Sequence, residues 1–190
     1  GTDIAQIAYD TARSQMLLIY TDGKIDVWQN KNKMQYVSDL YSKQLSYSKG
    51  CNNISIEGKM AYLSMDFGIL TFDLEEYKIV DTYYIGHEAK DVKVLDVLLE
   101  TDSIYAQTKD SVYAAKRMDN IVDYRYWQAS KRSNIAFDNK KGKEYVSADG
   151  DVWKVAGAKG VERVQKAGGK QYYLPDGPQV NVAYKLVSQG

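Results

Sequence analysis

Short runs of apolar residues alternate with polar turns along most of the chain, and one such pattern occurs four times. Each copy has a strand end, a hydroxyl residue and an Asp, followed by a second strand that opens on Ile or Val. These opening residues are Ile25, Ile69, Val112 and Val152, which lie 40 to 44 residues apart. Because short strands joined by tight turns repeat with this period, the pattern predicts the blades of a β-propeller.

We interpret residues 1–190 as one all-β propeller domain of about four blades, each of four antiparallel strands. The blades are expected at residues 4–40, 51–86, 91–129 and 133–167. Residues 168–190 carry both prolines, and we expect a partial blade there or a strand that closes the ring. No segment keeps a helical period over a full helix length. Four blades are few for a ring, so we expect the domain to be part of a larger propeller.

Charge and hydropathy argue against nucleic-acid binding through bulk charge and against a membrane span. The 25 basic side chains equal the 25 acidic ones, so bulk charge does not attract nucleic acid. No run of about 18 apolar residues is present to span a bilayer. The 17 tyrosines against 3 phenylalanines suit strands with half-wet faces, because the ring packs while the hydroxyl meets water.

The residues that usually carry chemistry are sparse, and we predict no catalytic residue, cofactor site or metal site. Cys51 is the single cysteine and is expected to be buried, and His87 is the single histidine. No nucleophile elbow, phosphate loop or dinucleotide fingerprint occurs. The aspartates of the four repeated turns lack the dense oxygen ladder of a calcium loop. We expect them to accept hydrogen bonds within their own turns instead.

Aromatic residues supply the candidates for ligand or partner contact. Trp28 and Trp153 lie inside the repeated pattern, and we expect them to pack between blades. Tyr124, Tyr126 and Trp127 lie in the irregular segment 119–128 and are the candidate contact residues. Trp127 is the best single candidate for an exposed contact, although core packing is the role that we favour for its ring. Segment 41–50 is a second variable stretch between copies.

Three stretches also resemble a known family: residues 65–76 (MDFGILTFDLEE), 79–86 (IVDTYYIG) and 120–127 (NIVDYRYW). They are similar to the N-terminal β-propeller of PorZ, a component of the type IX secretion system of Bacteroidetes. The resemblance is best over about residues 4–130. The chain departs from the family pattern at Asp66, where the family tends to Gly, and its third copy lacks the motif glycine.

The resemblance implies a non-enzymatic binding or scaffold propeller of the bacterial cell envelope, in the periplasm or at the cell surface. Its partners would be proteins of a cell-surface complex, or an envelope glycan such as lipopolysaccharide. The main alternative is the periplasmic ligand-sensing propeller of a two-component regulator, and a propeller hydrolase or lyase is less favoured. Because an open arc of blades leaves sheet edges uncovered, we also expect homo-oligomer contacts through those edges.

Overall fold

The computed structural model describes residues 3–29, 33–45, 47–132, 134–137, 144–147, 149–156 and 159–173. Four antiparallel sheets account for most of them, and each sheet has four strands in sequence order. The strands of the first two sheets are β1 (Ile4–Asp10), β2 (Gln15–Tyr20), β3 (Ile25–Gln29), β4 (Lys33–Val37), β5 (Cys51–Glu57), β6 (Met60–Met65), β7 (Gly68–Asp73) and β8 (Lys78–Tyr83). Those of the third and fourth are β9 (Asp96–Leu99), β10 (Ser103–Gln107), β11 (Val112–Lys116), β12 (Gln128–Ala129), β13 (Glu144–Val146), β14 (Val152–Val155), β15 (Val161–Val164) and β16 (Lys170–Tyr173).

The turn between β2 and β3 shows why the repeated pattern makes hairpins. Gly23 has φ +90°, a left-handed conformation that a side chain disfavours. The Gly23 N–H donates to the Tyr20 carbonyl at 3.1 Å, and the Asp22 carboxylate accepts the Lys24 N–H at 3.1 Å. The Asp of this copy therefore stabilises its own turn, as expected.

Among the residues that the structure describes, helical structure is limited to short elements. Helix α1 spans Asp39–Ser42, and two 3-10 turns span His87–Ala89 and Tyr124–Tyr126. Within the described ranges, no helix has both the length and the apolar character needed to cross a membrane.

The four sheets pack side by side through their flanks, and three hydrophobic clusters lie between them. The first cluster joins the first and second sheets, with Leu17 and Ile25 against Leu63 and Phe72. A second cluster joins the second and third sheets through residues such as Ile69 and Ile104, and the third joins the first and fourth. The packing order is therefore third, second, first and fourth, and the chain is an all-β partial propeller.

Buried polar side chains bridge the innermost strands of neighbouring sheets. From β1, the Gln6 Nε2 donates to the Asn52 carbonyl of β5 at 2.6 Å. From β5, the Asn53 Nδ2 donates to the Asp96 Oδ1 of β9 at 2.6 Å. These hydrogen bonds set how β5 lies between its two neighbours, because a buried polar group left without a partner costs free energy.

Arginines bridge the same three sheets at their hairpin turns. The Arg13 Nη2 donates to Glu75 Oε1 at 2.6 Å, which links the first sheet to the second. The Arg117 Nη1 donates to Glu57 Oε1 at 2.9 Å, which links the third sheet to the second. Exposed ion pairs of this kind each contribute little to stability. The two bridges nevertheless join the same neighbours as the hydrophobic clusters do, the first sheet with the second and the second with the third.

The fourth sheet differs from the expected unit at residues 133–167. The described part of its expected first strand, residues 134–137, forms no strand, and the sheet begins at β13. Its fourth strand is β16, in the stretch that the pattern assigned to a separate tail. Ile135 and Phe137 are the apolar residues of 134–137 with large side chains and are only half-buried, whereas β16 continues a regular antiparallel ladder. The remainder of the tail, residues 174–190, lies outside the described residues.

Replacing Asn53 by Ala tests the bridge between the inner strands. We expect Asn53→Ala to lower the free energy of unfolding by about 1–3 kcal/mol, because it removes a buried donor from the Asp96 carboxylate. Urea unfolding followed by circular dichroism measures the change. Asn120→Ala, at an exposed position, is the matched control. Equal losses in the two variants would contradict a structural role for the bridge.

Candidate binding surface

The connection between β11 and β12, residues 117–127, folds as a series of tight turns that we call the rim segment. The Asp119 N–H donates to the Lys116 carbonyl at 3.1 Å, and the Asp123 N–H donates to the Asn120 carbonyl at 3.0 Å. The Asp123 carboxylate then accepts the Arg125 N–H at 3.0 Å and so caps the 3-10 turn Tyr124–Tyr126. The local hydrogen bonds therefore define the backbone path of the candidate residues.

Trp127 anchors the rim segment. Its side chain is only 5% exposed and belongs to the cluster between the second and third sheets. Its Nε1 donates to the Ile121 carbonyl at 2.9 Å, and its ring centroid lies 6.3 Å from that of Tyr83. Trp127 is thus not an exposed contact. It packs in the core, which is the role that the sequence favoured for it.

Three other apolar side chains of the rim segment face solvent, whereas Ile121 packs against the cluster between the second and third sheets. Met118 is 88% exposed, Val122 is 49% exposed and Tyr126 is 44% exposed. Tyr124 is half-buried, and its ring meets that of His87 edge-on at a centroid distance of 6.3 Å. We call Met118, Val122, Tyr124 and Tyr126 the rim surface. It presents apolar and aromatic groups on a backbone fixed by turns and by a buried indole.

The charges of the rim segment compensate each other. The Arg125 guanidinium donates to both oxygens of the Asp123 carboxylate, with Nε at 3.0 Å and 2.9 Å. Hydrogen bonding to Arg125 lowers the pKa of Asp123 below its ordinary value, so both groups are ionised at neutral pH. The pair adds no net charge, and the rim surface is suited to an apolar or weakly polar contact.

A second surface surrounds Tyr41 in segment 41–50. The Tyr41 ring is 45% exposed and lies 4.4 Å from the Lys24 ammonium and 5.9 Å from the Lys49 ammonium. Lys49 Nζ also donates to the Tyr41 carbonyl at 2.7 Å, and Lys24 pairs with Asp22 at 2.7 Å. This Lys–Tyr surface combines an exposed aromatic face with two cations.

The remaining candidates from the sequence have structural contacts. Cys51 is buried, as expected. Asp66 does not follow the turn pattern of Asp22, because it accepts from Asn52 at 3.0 Å and pairs with Lys93 at 2.8 Å. Over the described ranges, no three or more His, Cys, Asp or Glu side chains converge as a metal site would require.

The tryptophans of the repeated pattern pack as expected. Trp28 and Trp153 both lie against the cluster between the first and fourth sheets. The exposed Arg132 also has a structural contact, because it pairs with Glu100 at 2.7 Å. Sequence reasoning did not single out Met118 and Val122, although two apolar residues among polar neighbours outside the strands were a signal that could have identified them.

Residues 1–128 match the family model for the N-terminal β-propeller domain of PorZ from the type IX secretion system. Among solved structures, PorZ of Porphyromonas gingivalis, an essential bacterial surface component of that system, is similar with a TM-score of 0.60 and 21% identity. The alignment covers 90% of this chain and 27% of the PorZ chain, so this chain spans about a quarter of that relative. No curated protein matches the chain.

Two further solved structures match the chain with lower TM-scores. Virginiamycin B lyase of Staphylococcus aureus has a TM-score of 0.51 and 10% identity, over 92% of this chain and 57% of the lyase. The extracellular domain of a hybrid two-component system from B. thetaiotaomicron has a TM-score of 0.47 and 13% identity, over 97% of this chain and 23% of that one. At 10% identity, the likeness to the lyase concerns the fold alone. The TM-score of the extracellular domain is below 0.5, and we infer nothing from it.

The roles of Trp127 and Tyr126 are separable by stability measurements. We expect Trp127→Ala to lower the free energy of unfolding by about 3–5 kcal/mol, because it empties a buried site between two sheets. We expect Tyr126→Ser to change it by less than about 0.5 kcal/mol, because the side chain is largely on the surface. Urea unfolding of both variants provides the comparison. A loss in Trp127→Ala no greater than in Tyr126→Ser would show that the indole is not the anchor.

Proposed function

The chain belongs to the N-terminal β-propeller family of PorZ, and on that premise we propose that it is a non-enzymatic scaffold that binds a protein of the type IX secretion complex. Family membership makes it a propeller of a secretion-system component, and PorZ of Porphyromonas gingivalis is a bacterial surface component of that system. We propose a periplasmic or cell-surface location on the same basis. The partner and the binding role are proposals for this chain, which covers 27% of the PorZ chain.

The single observation that carries the binding role is the rim surface. Met118, Val122 and Tyr126 expose large apolar side chains within nine residues, while Trp127 buries its indole directly after them. Exposed apolar groups on a fixed backbone favour a protein partner, since little conformational entropy is lost when they are covered. Tyr124 and Tyr126 are accordingly our proposed contact residues. Trp127 anchors the segment that carries them, because its indole is buried between two sheets.

An envelope glycan is a second candidate ligand, and the Lys–Tyr surface favours it. A sugar ring stacks on an exposed aromatic face, and anionic groups of lipopolysaccharide would pair with Lys24 and Lys49. Both ammonium groups already have contacts in the chain, Lys24 with Asp22 and Lys49 with the Tyr41 carbonyl. We therefore rank the glycan below a protein partner.

The other functional classes have less support. A sensor propeller of a two-component regulator remains an alternative, but the family match favours the secretion role. A hydrolase or lyase would need several polar groups that converge on one point. His87, the single histidine, instead contacts the Tyr124 ring edge-on. The likeness to virginiamycin B lyase concerns the fold alone, at 10% identity.

We also propose contact between copies through the open flank of the third sheet. In the first sheet, Ile25 and its cross-strand neighbour Ile19 are fully buried against the second sheet. The corresponding pair in the third sheet is Val112 and Gln107, and both are only half-buried in the described structure. The flank of the third sheet thus carries the positions that bury a neighbouring sheet elsewhere in the repeat. We propose that a second copy of the chain covers this flank.

Partner binding tests the rim surface. We expect Tyr126→Ser to reduce binding of the chain to the purified cell-surface type IX complex at least about tenfold, because interface aromatics often contribute 1.4 kcal/mol or more. Surface plasmon resonance with the immobilised complex measures the affinity. Tyr172→Ser, an equally exposed tyrosine on the fourth sheet, is the matched control and should bind as the parent does.

A result in which Tyr126→Ser and Tyr172→Ser bind equally well would exclude the rim surface as the contact. Loss of binding in Tyr41→Ser alone, together with binding of the parent chain to lipopolysaccharide on a glycan array, would favour the glycan candidate instead.

Self-association tests the open flank. We expect a concentration-dependent dimer in sedimentation equilibrium, weakened by Ala114→Glu because Ala114 lies on the same flank as Val112 and a charge there would be buried on association. Val146→Glu, at an exposed position of β13, should leave the association unchanged. A monomer over the whole concentration range would contradict the proposed contact between copies.

A further inference from the structure

A carboxyl group is buried in the first sheet without full hydrogen bonding. Asp26 of β3 is 1% exposed, and its Oδ2 accepts a hydrogen bond from the Tyr20 hydroxyl at 2.7 Å. Its Oδ1 has no hydrogen-bond partner within the described structure. The indole N–H of Trp28, two residues along the same strand, is likewise unpartnered there. An ionised carboxylate in this position is costly, because water cannot solvate it.

This carboxyl group lies where the first sheet meets the fourth. Asp26 pairs across the ladder with Leu18, so the two side chains share one face of the sheet. Leu18 and Tyr20 belong to the cluster that includes Val161 of β15, and Trp153 of β14 packs against it. We call this contact the first–fourth joint. The face that carries Asp26 is therefore the face that the fourth sheet covers.

The charged groups near Asp26 in its own sheet do not neutralise it. Burial raises the pKa of Asp26, while the Tyr20 hydroxyl and the Lys24 ammonium oppose that rise and Asp22 adds to it. Lys24 itself pairs with Asp22 at 2.7 Å. Tyr36, opposite Asp26 on β4, contributes a phenol that is neutral below about pH 9.

The fourth sheet supplies no free charge to the joint. Arg163 shares a face with its cross-strand neighbour Trp153. The guanidinium lies 5.3 Å from that indole ring and donates to the Asp151 carboxylate at 2.6 Å. It is paired again with Asp149 at 3.7 Å. The other titratable groups at this contact are the phenols of Tyr9, Tyr145 and Tyr173. The Asp149 and Asp151 carboxylates are thus paired with Arg163, whereas the carboxyl group of Asp26 accepts its hydrogen bond from a phenol.

We propose that the first–fourth joint is a pH-responsive contact in which neutral Asp26 lets the fourth sheet pack on the first and ionised Asp26 loosens it. The direction follows from linkage: a carboxyl group with a raised pKa in the packed state favours packing when protonated. The packed state is then fully favoured below the ordinary pKa of Asp and becomes weaker as the pH rises through the raised value. This inference rests on Asp26 and is independent of the proposed secretion partner.

Tryptophan fluorescence reports on the joint, because Trp28 and Trp153 lie in it while Trp127 lies in another cluster. We expect acrylamide quenching of the chain to increase as the pH rises above the ordinary pKa of Asp, in a single-proton transition. Asp26→Asn should stay weakly quenched over the same range, since its amide does not ionise. Asp39→Asn, at an exposed position, should follow the parent curve.

Tyr20→Phe provides a second, directional test. Removing a hydrogen bond to the charged carboxylate should move the quenching midpoint upward by about one pH unit. Together, a flat Asp26→Asn profile and an upward shift in Tyr20→Phe support the proposal. A parent profile that does not change with pH, an Asp26→Asn profile equal to the parent, or a midpoint that does not rise in Tyr20→Phe would each overturn it.

Discussion

The lateral packing of the inner strands is the constraint on which the rest of the structure depends. Strand β5 lies between β1 and β9, and its two neighbours contact it through both polar bridges and apolar flanks. No single four-stranded sheet of this kind buries both flanks alone, so each sheet is stable only against a neighbour. The second sheet has a neighbour on each side and carries the fully buried residues Leu63, Ile69 and Phe72.

The surfaces available for function follow from that packing. The inner strands are occupied by inter-sheet contacts, so side chains that face solvent lie on the outer strands and in the connections. The rim segment is such a connection, held by Trp127 in the cluster between the second and third sheets. The Lys–Tyr surface is another, placed by α1 and the linker to β5. A scaffold of packed sheets thus presents variable segments at defined positions, which is the arrangement expected of a binding propeller.

The sequence predicted the parts of the fold that depend on local pattern. Asp22 and Gly23 indicated a hairpin, and alternating apolar residues with anchors such as Ile25 and Ile69 indicated sheets with two buried flanks. The fourth sheet was predicted less well, because membership of β16 depends on ladder pairing with β15 rather than on local pattern. Core packing was the role that the sequence favoured for Trp127, but the cluster in which it packs depends on contacts between sheets that a local pattern does not show.

Native-state hydrogen exchange tests the central role of the inner strands most directly. If lateral packing of β1, β5 and β9 holds the sheets together, the amides of β5 and β6 should exchange only through global unfolding, with the highest opening free energy in the chain. The outer strand β12, which has two residues, should exchange through local opening at much lower free energy. Exchange of β5 amides as fast as those of β12 would contradict the account.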